Sequence, residues 1–409
     1  MVRRIDRHKL DFDQWPSEIH LLRLCARTRT SCAAEQRICN ILQSPDFDWT
    51  AFIQAAIAEQ VVALIHQSFE RVCADLVPNE ILDAMAVFVA MQKKQNQVLM
   101  DELLAVLQAA EEQGIPTIPF KGPVLAQTVY GDLALRQFVD LDVVVVKEKI
   151  VAFGKLLVER GYSDITDPVI ASTLGKDGLF INERNNIGLE SHRAVGAKHL
   201  LFFRHYDGIR FEPHWAIASK EETDCIDHDG LWRRSSFAKI DEVKIRVFAP
   251  EDTLIILCVH GASHRWSPLK WICDIAELVA GDMPIAWDIA LKRARAQGVE
   301  RMVLLGVLLA KLLFEARLPP VVVSAIERDK CVSDLALDLI IYALNRARHP
   351  DNRLHDPDIL WRVKYLLRLR ERHRDKLTFL KIKLAAKLVA IQHLLLSLLY
   401  RCGGRYFGN

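Results

Sequence analysis

With 409 residues, 51% of them apolar and 26% charged, the chain is long enough for two or three cored units and too apolar for a disordered or fibrous protein. Its net charge of +2 hides an asymmetry: from Trp361 to Arg401 eleven basic residues stand against Glu371 and Asp375, a local +9 that leaves −7 for the rest. Nine scattered cysteines without a C-x-x-C pair, behind a basic N-terminus lacking an apolar run, argue against an exported disulfide scaffold and for reduced thiols in the cytoplasm.

In chain order, the first hundred residues read as helical. Asp48 is placed to cap a helix carrying Trp49, Phe52, Ala55, Ala56 and Ile57 at helical spacing. A long helix is predicted from about Asn79 to Glu112, with Gly114 where a helix-ending glycine belongs. Ile115 to Phe120 contains two prolines and reads as a short edge or irregular strand. Lys121-Gly122-Pro123 then opens a helix to about Tyr130, because proline suits a first helical turn.

Phe138 to Val146 is the clearest predicted strand, with Val139, Leu141, Val143 and Val145 on one face and Asp140, Asp142, Val144 and Val146 on the other. Lys147 to Arg160 reads as a helix ending at Gly161, and the stretch from Tyr162 to Asp207 has no clear pattern. Gly208 to Ile217 is a further strand, with Arg210, Glu212 and His214 on one face, Phe211 and Trp215 on the other, and Pro213 interrupting its regularity. Helices return at Pro250, at Ser267-Pro268 with Ser267 as cap, from Trp287 to Gln297, and from Glu300 to Phe314. Leu384 to Tyr400 approaches membrane-span length, but Lys387, Gln392 and His393 favour an amphipathic or packed helix.

Two aspartates at i, i+2 in an apolar strand share a face, and a pair of carboxylates about 4 Å apart repels by roughly 4 kcal/mol at an effective dielectric near 20. A hard divalent cation relieves that repulsion, and magnesium is the usual ion where phosphates complete the coordination. A solvent-exposed strand start is the bland alternative for Asp140 and Asp142. The preceding glycine turn and helix start add backbone N–H groups suited to an anion, and Lys121 adds positive charge.

These features resemble the uncharacterised nucleotidyltransferase family of the polymerase-β superfamily. The resemblance is carried by Phe120-Lys121-Gly122, Leu125-Ala126, Tyr130-Gly131, Arg136 and Asp140 to Val145, then by Phe211 to Trp215. It continues through His260 to Trp266, Leu269-Lys270-Trp271, Asp274 and Trp287-Asp288, covering roughly residues 45 to 320. It implies an α+β fold: a small mixed sheet forming the nucleotidyltransferase core, flanked by N-terminal and C-terminal helical regions. The expected divisions are a helical region at 1–114, the core at 115–220, a helical domain completing the cleft at 221–330 and a basic helical extension at 331–409.

The resemblance also implies roles. Asp140, Asp142 and Glu212 would hold Mg2+ (or Mn2+) and act in catalysis. Lys121, Gly122 and Arg136 would contact the nucleoside triphosphate substrate, although a structural salt bridge is an equal reading for Arg136. The superfamily's usual glycine-serine pair is here Lys121-Gly122, and 17 residues separate Gly122 from Asp140. His214, His260, His264, Lys270 and Asp274 are candidate substrate-facing groups. His260 and His264, at i, i+4, also permit a zinc or packing role, and Lys270 with Asp274 a surface salt bridge.

The expected function is metal-dependent transfer of a nucleoside monophosphate from an NTP to an acceptor that is a small molecule, saccharide, RNA or protein. The alternative is a catalytically degenerate nucleotide-binding or scaffold protein. The basic tail, with Trp361, Tyr365, Phe379 and Tyr400 interleaved, is a solvated helix face or a site for an anionic partner, a membrane surface or RNA, which would place a cytoplasmic protein peripherally at a membrane.

Overall fold

The computed structural model describes residues 15–164, 201–218, 226–348 and 359–384. Five helices come first: Ser17–Cys25, Cys32–Leu42, Trp49–Ala58, Val62–Val72 and the 34-residue Asn79–Glu112. The Asp48 carboxylate accepts from the Ala51 N–H at 2.9 Å, so that cap forms as the sequence predicts. Gly114 follows the long helix at φ +62°, a left-handed conformation that glycine adopts without a Cβ clash.

A mixed five-stranded sheet then forms in the order β1-β2-β5-β4-β3. Its strands are β1 (Thr117–Pro119), β2 (Asp140–Val145), β3 (Ser163–Asp164), β4 (Phe202–Phe203) and β5 (Arg210–His214). The proline-rich β1 lies at an edge, antiparallel to β2, where Pro119 disrupts least. Strands β2 and β5 run parallel, and β4 returns antiparallel to β5. Pro213 is tolerated within β5 because β4 pairs only with Arg210 and Phe211, leaving no ladder on that side at position 213. The fold is α+β, as expected, and a two-stranded ribbon of β6 (Ser236–Ile240) and β7 (Val243–Val247) adds to it.

The faces of the sheet differ in chemistry. Leu141, Val143, Val145 and Phe211 pack under the C-terminal half of the long helix, through Leu99, Leu103 and Leu107, and under the helix Ile150–Glu159. On the other face Val144 joins Ile118, Phe120, Phe248 and Ile256 in a small cluster beside the acidic positions. Val139 departs from the predicted alternation. It is 61% exposed, because pairing with β5 begins only at Asp140 opposite Arg210.

A third and larger core joins helices from both ends of the chain, from Leu21, Phe52 and Phe69 to Leu257, Leu305 and Leu335. The helices Pro250–Ser263, Trp287–Gln297 and Glu300–Phe314 lie where the sequence places them. One start differs. The next helix begins at Lys270, not at Pro268, and Ser267 is not its cap. Its leading N–H groups go instead to Glu59: Leu269 N donates to Oε2 at 2.6 Å and Lys270 N to the Glu59 carbonyl at 3.3 Å. Among the described residues no helix is long and apolar enough to cross a membrane; Ala385 to Tyr400, most of the near-span segment, lies outside them.

Candidate active site

Register brings the acidic side chains together. In the parallel pairing of β2 with β5, Asp142 lies opposite Glu212, Asp140 opposite Arg210 and Val144 opposite His214. Alternation along each strand then puts Asp140, Asp142, Glu212 and His214 on one face of the sheet. Asp142, Glu212 and His214 each offer a ligand atom within 4.8 Å of the others, the one such set of three among the described residues. Asp140 stands one pleat away on β2.

Asp142 is the hub. Its Oδ1 lies 2.9 Å from His214 Nε2 and 3.6 Å from Lys121 Nζ, while Glu212 Oε2 is 3.8 Å from the same His214 nitrogen. His214 is almost fully buried, and its ring meets Phe120 edge-on at 5.1 Å. The backbone N–H of Phe120 donates to the Asp142 carbonyl at 3.1 Å, which fixes the turn after β1 against β2. In that turn Lys121 takes φ +57°, ψ −145°, a region that L side chains seldom occupy. Gly122 follows at φ +41°, and a Cβ there would meet the Asp140 carbonyl at 3.4 Å. The bend keeps Lys121 Nζ over the carboxylates and brings the chain close to β2.

Electrostatics follow from the crowding. Burial, then the Asp142 and Asp140 charges, push Glu212 up to about 7, against the opposing pull of Lys121 and Arg210. Asp140 is raised too, first by burial and then by Asp142. Such a group of carboxylates suits a divalent cation, with oxygen donors for a hard ion and one imidazole beside them.

The remaining predicted residues occupy two neighbouring arrangements. Arg136 is buried, and its Nε and Nη2 bond the two oxygens of Asp274 at 2.8 and 2.9 Å, with Tyr130 Oη donating to Asp274 Oδ1 at 2.7 Å. This is the ion pair that one of the two readings of Arg136 expects. Lys270 does not pair with Asp274 at the surface. Its Nζ donates to the Gln137 carbonyl at 2.9 Å, three residues before Asp140, and burial lowers it to about 8. His260 and His264 form an aromatic cluster with Trp271, with ring centroids 4.6 to 4.9 Å apart, and neither enters the Asp142–Glu212–His214 set.

Sequence reasoning gave no role to Asn96 or Gln137. Asn96 Nδ2 donates to the carbonyls of Leu133 and Arg136, and Gln92 to that of Ala134, so the long helix pins the segment leading into β2 from behind. A polar Asn at a core-facing helical position, three residues before Leu99, was the available signal. Gln137 acts through its backbone, which composition does not reveal.

No curated protein matches the chain. Residues 45–315, spanning the helices from Trp49 onward, the sheet and the helices through Phe314, match the model of a family described as uncharacterised nucleotidyltransferase. The chain belongs to that nucleotidyltransferase family.

Proposed function

We propose that the protein transfers a nucleotidyl group from a nucleoside triphosphate to a hydroxyl-bearing acceptor, with Asp140, Asp142 and Glu212 holding Mg2+ or Mn2+. The observation that carries this reading is the register of β2 and β5, which sets Asp142 across from Glu212 with Asp140 on the same face. When bound, a divalent cation supplies charge neutralisation for the phosphates and a lowered pKa for the attacking hydroxyl.

The chain's own groups divide the remaining work. Lys121, held over the carboxylates by the Gly122 bend, offers its ammonium to the triphosphate in place of Asp142. His214 holds Asp142 Oδ1 and so fixes the orientation of that carboxylate. Glu212 supplies the third carboxylate on that face, and the acceptor hydroxyl, giving its proton to solvent, attacks the α-phosphorus as pyrophosphate leaves. Arg136 and Asp274 lock the approach to β2 and position Asp140 from behind.

Pyrophosphate release in the presence of each nucleoside triphosphate, magnesium and a panel of hydroxyl acceptors tests the reading. Asp140→Asn and Asp142→Asn should each lose at least about a hundredfold in turnover, the scale for removing one preorganised charged group. Unchanged turnover in both variants would refute the assignment. Nucleotide binding by calorimetry with no pyrophosphate from any acceptor would favour a nucleotide-binding or scaffold protein.

A further inference from the structure

The helix over residues 373–384 lies beyond the family match and takes no part in the site described above. Its inner face is fixed: Phe379 is 1% exposed, and the Arg370 guanidinium sits 4.2 Å from its ring centroid. Its outer face carries an apolar row. Leu377, Leu380 and Leu384 are 58%, 44% and 61% exposed. At 100° per residue these three lie within about 60° of one another and form a single stripe.

Basic residues border that stripe on both sides. Arg374 and Lys381 follow it along one flank, Lys376 and Lys383 along the other, and the wider Trp361–Arg401 stretch carries +9. A leucine ridge between two basic rows is the pattern of a helix lying in the headgroup region, its apolar side entering the acyl boundary and its lysines reaching phosphates. We infer that this helix docks the protein onto a lipid surface of net negative charge.

Two other partners fit less well. Single-stranded nucleic acid is held by stacking on exposed aromatic rings, yet Phe379 is buried, and Trp361 stacks between Tyr342 and Tyr365 at 5.2 and 5.5 Å. A second copy of the chain would bring two sets of basic flanks face to face, an arrangement that like charges oppose.

Sedimentation of the full chain with vesicles tests the inference. Vesicles of equal parts phosphatidylcholine and phosphatidylglycerol should carry the protein down, and phosphatidylcholine alone should not. Leu377→Glu combined with Leu384→Glu should lower the vesicle partition coefficient by at least about tenfold. Both positions are exposed, so an unchanged thermal melt verifies that the variant folds. Lys381→Glu with Lys383→Glu should weaken binding and flatten its dependence on salt. Absence of vesicle binding, or equal binding by the wild type and the leucine variant, would overturn the inference. So would binding to a structured RNA, or a concentration-dependent dimer, that the leucine variant abolishes while vesicle binding stays the same.

Discussion

Replacing Glu212 by glutamine separates the electrostatics of the site from its shape. Burial, Asp142 and Asp140 raise the carboxyl from its ordinary 4.5 to about 7. Between those values the folded protein keeps a proton that the unfolded chain has released. The stability this proton contributes is complete below about pH 4.5 and is lost as pH rises through about 7. A shift of that size corresponds to about 3 kcal/mol. Glutamine keeps the volume and never ionises, so the metal-free Glu212→Gln protein should match the wild type in acid and exceed it by about 3 kcal/mol near pH 8. Urea unfolding of both proteins across that range, in EDTA, reads the difference directly. Magnesium at a hundred times its dissociation constant should then add about 2.7 kcal/mol to the wild type near pH 8 and much less to the variant, whose turnover should fall with it. A stability difference that does not change with pH would refute the crowding argument. Equal stabilisation of both proteins by magnesium would refute the role of Glu212 as a ligand.

Other perturbations test the scaffold. Asp274→Ala leaves Arg136 buried without its counter-ion, and the loss should be about 3–5 kcal/mol by denaturant unfolding. Asp274→Asn, which keeps an acceptor for Tyr130 and Arg136, should lose less. At Gly306 an added Cβ would lie 2.6 Å from the Trp266 ring and 2.8 Å from Cys258 Sγ. Gly306→Ala should therefore lower stability by about 1–3 kcal/mol, seen as a lower melting temperature with turnover per folded molecule unchanged. Asp48→Ala removes the cap on Ala51 and should cost about 1 kcal/mol, again without effect on turnover.

Local patterns were the legible part of this fold. Alternation gave the face of β2 that carries the carboxylates, and helix starts with a local cap or a leading proline, as at Asp48 and Pro250, could be read within a turn. Spacing alone could not bring Glu212 to Asp142, because the register of parallel strands is set by everything between them; the family resemblance supplied that link. Where a partner is distant, local reasoning pointed elsewhere. Ser267 looked like a cap because its acceptor was near, whereas the acceptor used is Glu59, 210 residues away. The counter-ion of Arg136 is likewise 138 residues away, and nothing in its own neighbourhood names Asp274.

The Asn79–Glu112 helix touches two interiors. Met85 near its start belongs to the core shared by the chain's two ends, and Leu99 to Ala110 near its finish belong to the core under the sheet. Between them its outward side is open to solvent, with Val87 60% and Met91 68% exposed, while Phe88, Gln92 and the buried Asn96 keep the inward side engaged. At 1.5 Å per residue its 34 residues span about 51 Å, so one stiff beam is anchored at both ends in different bodies. A displacement of the sheet relative to the larger helical core would have to bend that beam or break the Gln92 and Asn96 bonds along its middle. Substitutions at Gln92 or Asn96 would therefore act on β2 through the segment that leads into it rather than through the carboxylates themselves.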